Sequence, residues 1–335
     1  MIENSIIILS YNNFLKFTGP CIDSIIRHTD LSINEIIVVD NNSTDDSVEF
    51  LQKYKGKYNN FRLVENKVNL GFAGGNNAGI KIARGNNIIL LNNDTLVSRD
   101  WLKKLTAPLV DKKVGLVGPI TNSIWSLQQV ALPGININNW ETIAENYVHK
   151  HNGLSAQISR LCFFCVLIPK KVIEEIGYLD SGYIQGEFED DDYCERVKKK
   201  YRVLMIEDCY IWHFGSGSFS LIPQGQRIEN QINNKKRFIK KFGEWYLPFK
   251  ALLDIKNLVL WYSKNGASDS IAYRSGIITG MVDLSISYQK GNQSLIGDQI
   301  NSITFKERIK LLDKAIFNNK LKIVYSFYKK ITNKK

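Results

Sequence analysis

The run Ile88-Ile89-Leu90-Leu91-Asn92-Asn93-Asp94 constrains this chain more than any other stretch. Four apolar residues in succession predict a strand buried on both faces, as in a parallel sheet covered by helices. The abrupt change to three short polar side chains marks where such a strand reaches the sheet's edge. Asn and Asp are also ordinary turn residues. The stretch alone therefore leaves two readings open, a plain strand end or a strand that delivers Asp94 to a cleft.

Three upstream segments repeat the pattern. Residues 5–9 read as a first buried strand ending in Ser10-Tyr11-Asn12-Asn13. Residues 35–40 read as a second, ending in Asp40-Asn41-Asn42-Ser43-Thr44, and residues 61–64 as a third. A helix is expected after the first, with Thr18 as cap, Pro20 in the first turn and Cys21, Ile22, Ile25 and Ile26 on one face. Asp45 and Asp46 open another after the second. Strands alternating with helices at this spacing predict an α/β chain with a mostly parallel sheet, whose carboxyl ends collect ligand-binding residues.

Between the third strand and the Ile88 run lies Asn69-Leu70-Gly71-Phe72-Ala73-Gly74-Gly75-Asn76-Asn77-Ala78-Gly79. Glycines at this density let backbone approach either a ligand or a neighbouring element closely, and both readings stand. A dinucleotide fingerprint or a P-loop does not. The glycines do not follow the first strand, the G-x-G-x-x-G spacing is absent, and no Gly-Lys-Ser/Thr follows.

Further along, residues 114–119 and 161–168 read as strands and residues 170–176 as a short helix. The intervening residues 121–160 show few clear elements and read as an acceptor-facing insertion. Glu187, Glu189, Asp190, Asp191 and Asp192 then form an acidic run. An acidic helix start that stays solvated is one account of it. Helical phase singles out Asp190, which lies three, four and seven positions before Tyr193, Cys194 and Val197 and so heads an apolar column. Asp192 shares a side with Glu195 and Lys199 and is expected to face water. An inward carboxylate at that position is suited to general-base work.

The formal charge is +11, but the residues from Lys306 onward hold ten Lys/Arg against Glu307 and Asp313, leaving the body nearly balanced. No nucleic-acid recognition motif accompanies it. The start of the chain lacks the basic, long apolar signature of a signal peptide, and no apolar run reaches the ~18 residues of a membrane span. The expectation is a cytoplasmic protein. The five cysteines lack zinc-site spacing and read as buried free thiols. Helices are expected over residues 245–261, 267–285 and 305–317, with Gly276 and Gly280 allowing close helix packing. Lysines alternating with apolar residues over 320–330 suggest contact with anionic membrane at the inner face.

Four motifs, in order and at matching spacing, resemble family 2 glycosyltransferases. They are residues 6–12, Val38-Val39-Asp40-Asn41-Asn42-Ser43, the glycine-rich Asn69–Asn76 segment, and Leu91-Asn92-Asn93-Asp94. The acidic run resembles that family's E-D-x-D motif, and Trp212-His213-Phe214-Gly215-Ser216 its W-H-x-G-S motif. The resemblance covers roughly residues 6–219. It implies the GT-A fold over residues 1–243, followed by a helical region with a basic tail over 244–335. It also implies inverting transfer of a sugar from a nucleoside diphosphate, UDP or dTDP, to an acceptor hydroxyl in a glycan, lipid-linked or protein acceptor. By that match Ser10, Tyr11, Asn12, Asp40, Asn42, Gly71, Gly74, Asn76, Asn92 and Asn93 hold the nucleotide-sugar. Asp94 and His213 hold Mg²⁺ or Mn²⁺, Asp190 is the base, Glu189 binds acceptor, and residues 215–218 lie near the diphosphate. Asn92 departs from the family pattern by replacing the first carboxylate of D-x-D, leaving one acid where two are usual. A nucleotidyltransferase of similar fold is disfavoured because its basic glycine loop is missing after the first strand. A sugar-binding module is disfavoured because it needs no base.

Overall fold

The computed structural model describes residues 1–184, 186–215, 224–243 and 249–289. Its strands are β1 (Asn4–Ser10), β2 (Asn34–Asp40), β3 (Phe61–Glu65), β4 (Asn87–Asn92), β5 (Thr95–Leu96), β6 (Val114–Thr121), β7 (Ser155–Gln157), β8 (Cys165–Pro169) and β9 (Arg202–His213). Its α-helices are α1 (Gly19–His28), α2 (Ser47–Lys57), α3 (Gly71–Ile82), α4 (Trp101–Thr106), α5 (Trp140–Lys150), α6 (Lys170–Ile176), α7 (Glu189–Val197), α8 (Gln224–Phe242), α9 (Phe249–Lys264), α10 (Ser268–Tyr273) and α11 (Ser275–Gln289).

The strands form one mixed sheet in the order β3-β2-β1-β4-β8-β6-β9-β5, with β7 also on β9. Strands β3, β2, β1 and β4 are parallel. Strand β8 runs antiparallel to β4 and β6, and β9 is parallel to β6. Successive side chains leave opposite faces of a strand, so each strand feeds two cores. Ile7, Ile37, Val39, Ile88 and Leu90 enter one, and Ile6, Ile8, Ile36, Val38, Ile89 and Leu91 the other. The continuous apolar runs of the sequence are continuous because both faces are covered. Each such side chain contributes roughly 1.5–3 kcal/mol by leaving water.

Three local expectations are corrected. Thr18 does not cap α1 with its side chain. It sits in helical backbone at the end of a π-helical turn, Phe14–Thr18, and its hydroxyl bonds Ser10 Oγ at 3.0 Å and Asn93 Nδ2 at 2.9 Å. Residues 121–160 contain α5 and β7, with Trp140, Ala144, Tyr147 and Val148 recurring at helical spacing on the buried side of α5. Strand β8 starts at Cys165 rather than Leu161, because the Leu161 and Cys162 N–H groups go instead to Cys194 Sγ and Gln128 Oε1. All five cysteines are buried free thiols, as expected. Nothing lies within 4 Å of a Cβ built at Gly276, so close helix packing there is not observed. The expected helix over 305–317 and the basic tail lie outside the described residues.

Leu252, Tyr262 and Ile278 of the C-terminal helices belong to the same core as Ile7 and Leu90, and a buried polar clasp ties them to the sheet. Glu207 of β9 accepts hydrogen bonds from Tyr147 Oη (2.6 Å), Arg274 Nη2 (2.7 Å) and Tyr262 Oη. Beside it, His151 donates Nδ1–H to the Tyr147 carbonyl at 2.7 Å and turns Nε2 to Asp269 and Ser270 at 3.3 and 3.1 Å. Burial pulls the imidazole pKa down, but Asp269, the Tyr147 carbonyl and Glu207 outweigh it and leave the pKa raised. A raised folded value means this contribution is complete below the ordinary histidine range and disappears as pH rises through the folded value. The melting temperature is therefore expected to fall between pH 5.5 and pH 8.5 more in the native chain than in His151→Gln. Equal falls would remove His151 as the cause.

Candidate active site

Register brings the polar strand ends together. Ser10 pairs with Asp40 across β1 and β2, and Leu9 with Asn92 across β1 and β4, so the carboxyl ends of three parallel strands coincide. The loops that follow are left-handed at Asn12, Asn13 and Asn42 (φ 54°, 57° and 69°), where Asn is tolerated better than most residues. The two loops are laced together. Asn12 N–H donates to Ser43 Oγ at 2.8 Å, and Thr44 N–H donates to Asn12 Oδ1 at 2.8 Å. Asp40 accepts from Ser43 Oγ at 2.5 Å and Ser43 N–H at 3.0 Å. Ser10 is wholly buried, while Tyr11 is half-buried and Asn42 exposed.

Asn41, which motif reading left without a role, organises the next loop. Its Oδ1 accepts from Leu70 N–H at 3.0 Å and Asn66 Nδ2 at 3.1 Å, and its Nδ2 donates to Asn69 at 2.8 Å. The glycines of α3 divide between the two readings. A Cβ at Gly79 would sit 2.6 Å from Ile7 Cγ2, and one at Gly75 would overlap Leu9, so these two serve helix–sheet contact. Gly71 adopts φ +67° at the mouth of the loop, and Gly74 is half-buried. Asn76 is buried and donates to the Phe72 carbonyl at 2.9 Å.

Past Asn93 the chain turns into β5, which pairs antiparallel with the end of β9 so that Thr95 faces His213. This sets His213 Nε2 3.2 Å from Asp94 Oδ1, with both residues buried. The His213 ring stacks on Phe164 at 5.4 Å. Its Nδ1 lies 2.7 Å from the Ser123 carbonyl, and a carbonyl only accepts, so Nδ1 carries the proton and Nε2 is the nitrogen left to face Asp94. Asn122 fixes the backbone on both sides, accepting from His213 N–H at 2.8 Å and donating to the His213 carbonyl at 3.0 Å. Gly215 follows at φ +80°, with a Cβ position only 2.6 Å from Ser123 Oγ. Residues 216–218 lie outside the described residues.

The acidic run heads α7 as its spacing predicts, but the side chains are not arranged as phase alone suggested. Asp192 is 0% exposed rather than solvated. It accepts from Arg196 Nε at 2.6 Å and Tyr183 Oη at 3.1 Å and pairs with Lys241 of α8. Sequence showed only the apolar column beneath α7, whereas α8 covers the opposite side. Asp190, at 9%, is the most exposed of the four consecutive acids. Its Oδ1 accepts the Asp191 N–H at 2.8 Å, and its Oδ2 lies 3.8 Å from Arg160 Nη2. Arg160 also bonds Asp191 through Nε. No periodicity marked Arg160 in advance. Glu189 is buried, and among the described residues its Oε2 has no hydrogen-bond partner; burial together with the Asp190 charge holds its pKa well above the usual carboxylate range.

Residues 161–164 connect the two clusters. Phe163 packs edge-on against Tyr193 of α7 at 6.0 Å, and the next residue, Phe164, stacks on His213. Alternation at Phe163 and Phe164 thus ties α7 to the Asp94–His213 pair. Among the described residues no group of three or more His, Cys, Asp and Glu side chains is placed to hold a metal ion. Asp94 and His213 supply one hard oxygen donor and one imidazole, a set that fits Mg²⁺ or Mn²⁺ when phosphate oxygens and water complete it.

The family model for glycosyl transferase family 2 matches residues 5–177, a span that takes in the ends of β1, β2 and β4 and runs through α6. The chain belongs to glycosyltransferase family 2. Among curated members, EpsJ of Bacillus subtilis, an uncharacterized glycosyltransferase, is 35% identical over 250 residues, covering 71% of this chain and 70% of EpsJ. The poly(ribitol-phosphate) β-glucosyltransferase of Bacillus spizizenii is 38% identical over 100 residues, covering 29% of this chain. This chain matches only 16% of that longer protein. GalNAc-T7, solved with UDP, GalNAc and Mn²⁺, superposes with a TM-score of 0.56 at 14% identity over 88% of this chain and 58% of its own. That likeness shows the GT-A fold.

Proposed function

We propose that this glycosyltransferase moves a sugar, with inversion, from a UDP- or dTDP-sugar to a hydroxyl of a surface glycan, polysaccharide or glycoprotein. The observation that carries the reading is the joining of two unlike clusters through Phe163 and Phe164, an acid–imidazole pair on one side and a carboxylate-headed helix on the other. The donor assignment draws support from GalNAc-T7, whose structure holds UDP and Mn²⁺, and the acceptor class from the poly(ribitol-phosphate) relative.

In this reading the laced loops of Tyr11, Asn12, Asp40 and Asn42 receive the base and ribose, with Ser10 bracing them from beneath. Gly71, Gly74, Asn76, Asn92 and Asn93 shape the sugar-phosphate side. Asp94 and His213 hold a divalent cation, which would draw charge from the leaving diphosphate. Asp190 takes the acceptor's hydroxyl proton as that oxygen bonds to the anomeric carbon from the face opposite the diphosphate. The bond to the diphosphate breaks, and its electron pair leaves with the phosphate oxygen. Glu189, whose pKa burial and the Asp190 charge hold high, stands beside the base on the acceptor side.

A screen of UDP-, dTDP- and GDP-sugars for nucleoside diphosphate release, with and without chelator, tests the donor and the cation together. Chelation is expected to stop release, Mn²⁺ or Mg²⁺ to restore it, and Asp94→Ala to lower it on the order of 10²-fold. Full activity in chelator would remove the cation from the mechanism. Product of unchanged anomeric configuration would remove inversion.

A further inference from the structure

Helix α8 carries apolar residues on two sides, Phe238 and Phe242 packed against Phe188 and a row of isoleucines turned outward. Asn230, Asn234 and Phe238 are buried against the body. Asn234 is the anchor, accepting from Ile184 N–H at 3.0 Å and donating to the carbonyls of Ile184, Gly186 and Glu187 at 3.1, 2.9 and 3.1 Å. Arg237 and Lys241 add ion pairs to Asp180 at 2.9 and 3.2 Å. On the opposite side, at helical spacing, Ile228, Ile232 and Ile239 are 50%, 49% and 38% exposed. Lys235 lies within that stripe and Lys236 and Lys240 beside it. The helix carries six Lys/Arg against the single acid Glu229. An amphipathic helix normally turns its apolar stripe to the core. Here asparagines and Phe238 share the anchoring, and a second apolar row of isoleucines faces solvent among lysines.

We infer that this outer face of α8 is a docking surface for an anionic lipid bilayer. The charge decides the occupant. Isoleucines flanked by lysines match a surface that is apolar beneath and negatively charged at its headgroups, the arrangement an interfacial helix uses. The anchoring face holds the backbone of Ile184, Gly186 and Glu187 just ahead of α7, so a bilayer bound to α8 lies close to the acidic helix and favours an acceptor presented at a membrane. This surface is distinct from the basic tail, which lies outside the described residues. No helix among the described residues is long and apolar enough to cross a membrane, so contact through α8 is peripheral.

The native cysteines are all buried, so an Ile232→Cys substitution in the full chain can be labelled selectively with an environment-sensitive fluorophore. Vesicles of phosphatidylcholine with about a third phosphatidylglycerol are expected to shift its emission to the blue, and phosphatidylcholine alone is not. Ile228→Ser/Ile232→Ser/Ile239→Ser is expected to weaken co-sedimentation with the acidic vesicles about tenfold while leaving the melting temperature nearly unchanged. Co-sedimentation with an unresponsive label would place binding on another part of the chain and overturn the proposal. A shift that follows protein concentration without vesicles would do the same, in favour of a second copy. Vesicle binding is read without sugar transfer, so this result and the donor screen fail independently.

Discussion

Asp190→Asn is expected to lower sugar transfer by about 10²–10⁴-fold while leaving donor affinity and the melting temperature close to native. The amide keeps the size and most of the hydrogen bonding of the carboxylate, including acceptance of the Asp191 N–H, but it cannot take a proton from the acceptor. The Arg160 guanidinium remains paired with Asp191, so little packing energy is at stake. Glu189→Gln is the contrasting variant. Burial and the neighbouring Asp190 charge push the Glu189 pKa well above the usual carboxylate range, which favours the neutral carboxyl that an amide resembles, so the rate should change by less than about tenfold. Rates of transfer to a saturating acceptor distinguish the two. If Glu189→Gln lost the larger factor and Asp190→Asn stayed near native, the base would be Glu189.

Asp192 shows how a charge run misleads when only one side of a helix is visible in the sequence. Its offset from Tyr193, Cys194 and Val197 places it away from the apolar column, and a carboxylate in that position is usually solvated. The covering element, α8, begins more than thirty residues later and brings Lys241 to it. Asp192→Asn thus becomes a folding variant, since it leaves Arg196 and Lys241 without their shared carboxylate. Strand ends were legible for the opposite reason. A run such as residues 88–91 states its own burial, and the polar residues that follow it must lie where parallel neighbours also end, which is how Ser10, Asp40 and Asn92 come into register.

The proximity of Asp94 to His213 was legible only through family resemblance, because the short β5–β9 pairing that creates it joins residues far apart in the chain. Arg160, Glu207 and Arg274 carried no signal at all. Arg160 lies in a loop, Glu207 in an apolar strand and Arg274 within a stretch expected to be helical, and each acquires its partner through tertiary contact. The glycines of α3 had two readings, and the structure assigns different ones to different residues. Gly75 and Gly79 are required by Leu9 and Ile7, while Gly71 supplies a left-handed turn.

Arg274→Met should cost roughly 3 kcal/mol of folding stability, read from chemical denaturation of the full chain. Arg274 and Glu207 are both 0% exposed and 2.7 Å apart. The guanidinium also donates to the Leu127 carbonyl at 2.5 Å and the Ser270 carbonyl at 3.2 Å. Removing it leaves a buried carboxylate facing only the two tyrosine hydroxyls, and two main-chain carbonyls lose donors. Loss of one member of a buried pair typically costs about 3–5 kcal/mol, and the tyrosines that still bond Glu207 hold the expectation at the lower end. Arg274→Met/Glu207→Gln removes the stranded charge as well and should recover part of that loss. The Leu127 contact extends the effect toward the candidate active site, because Leu127 lies in the same loop after β6 as Asn122 and Ser123, which fix His213. Donor turnover in Arg274→Met should accordingly fall at temperatures below its unfolding transition, and the double variant should restore stability more than turnover. A single variant losing less than about 1 kcal/mol would mean that the two tyrosine hydroxyls suffice for the buried carboxylate, and the clasp would then owe its strength to those hydrogen bonds rather than to the ion pair.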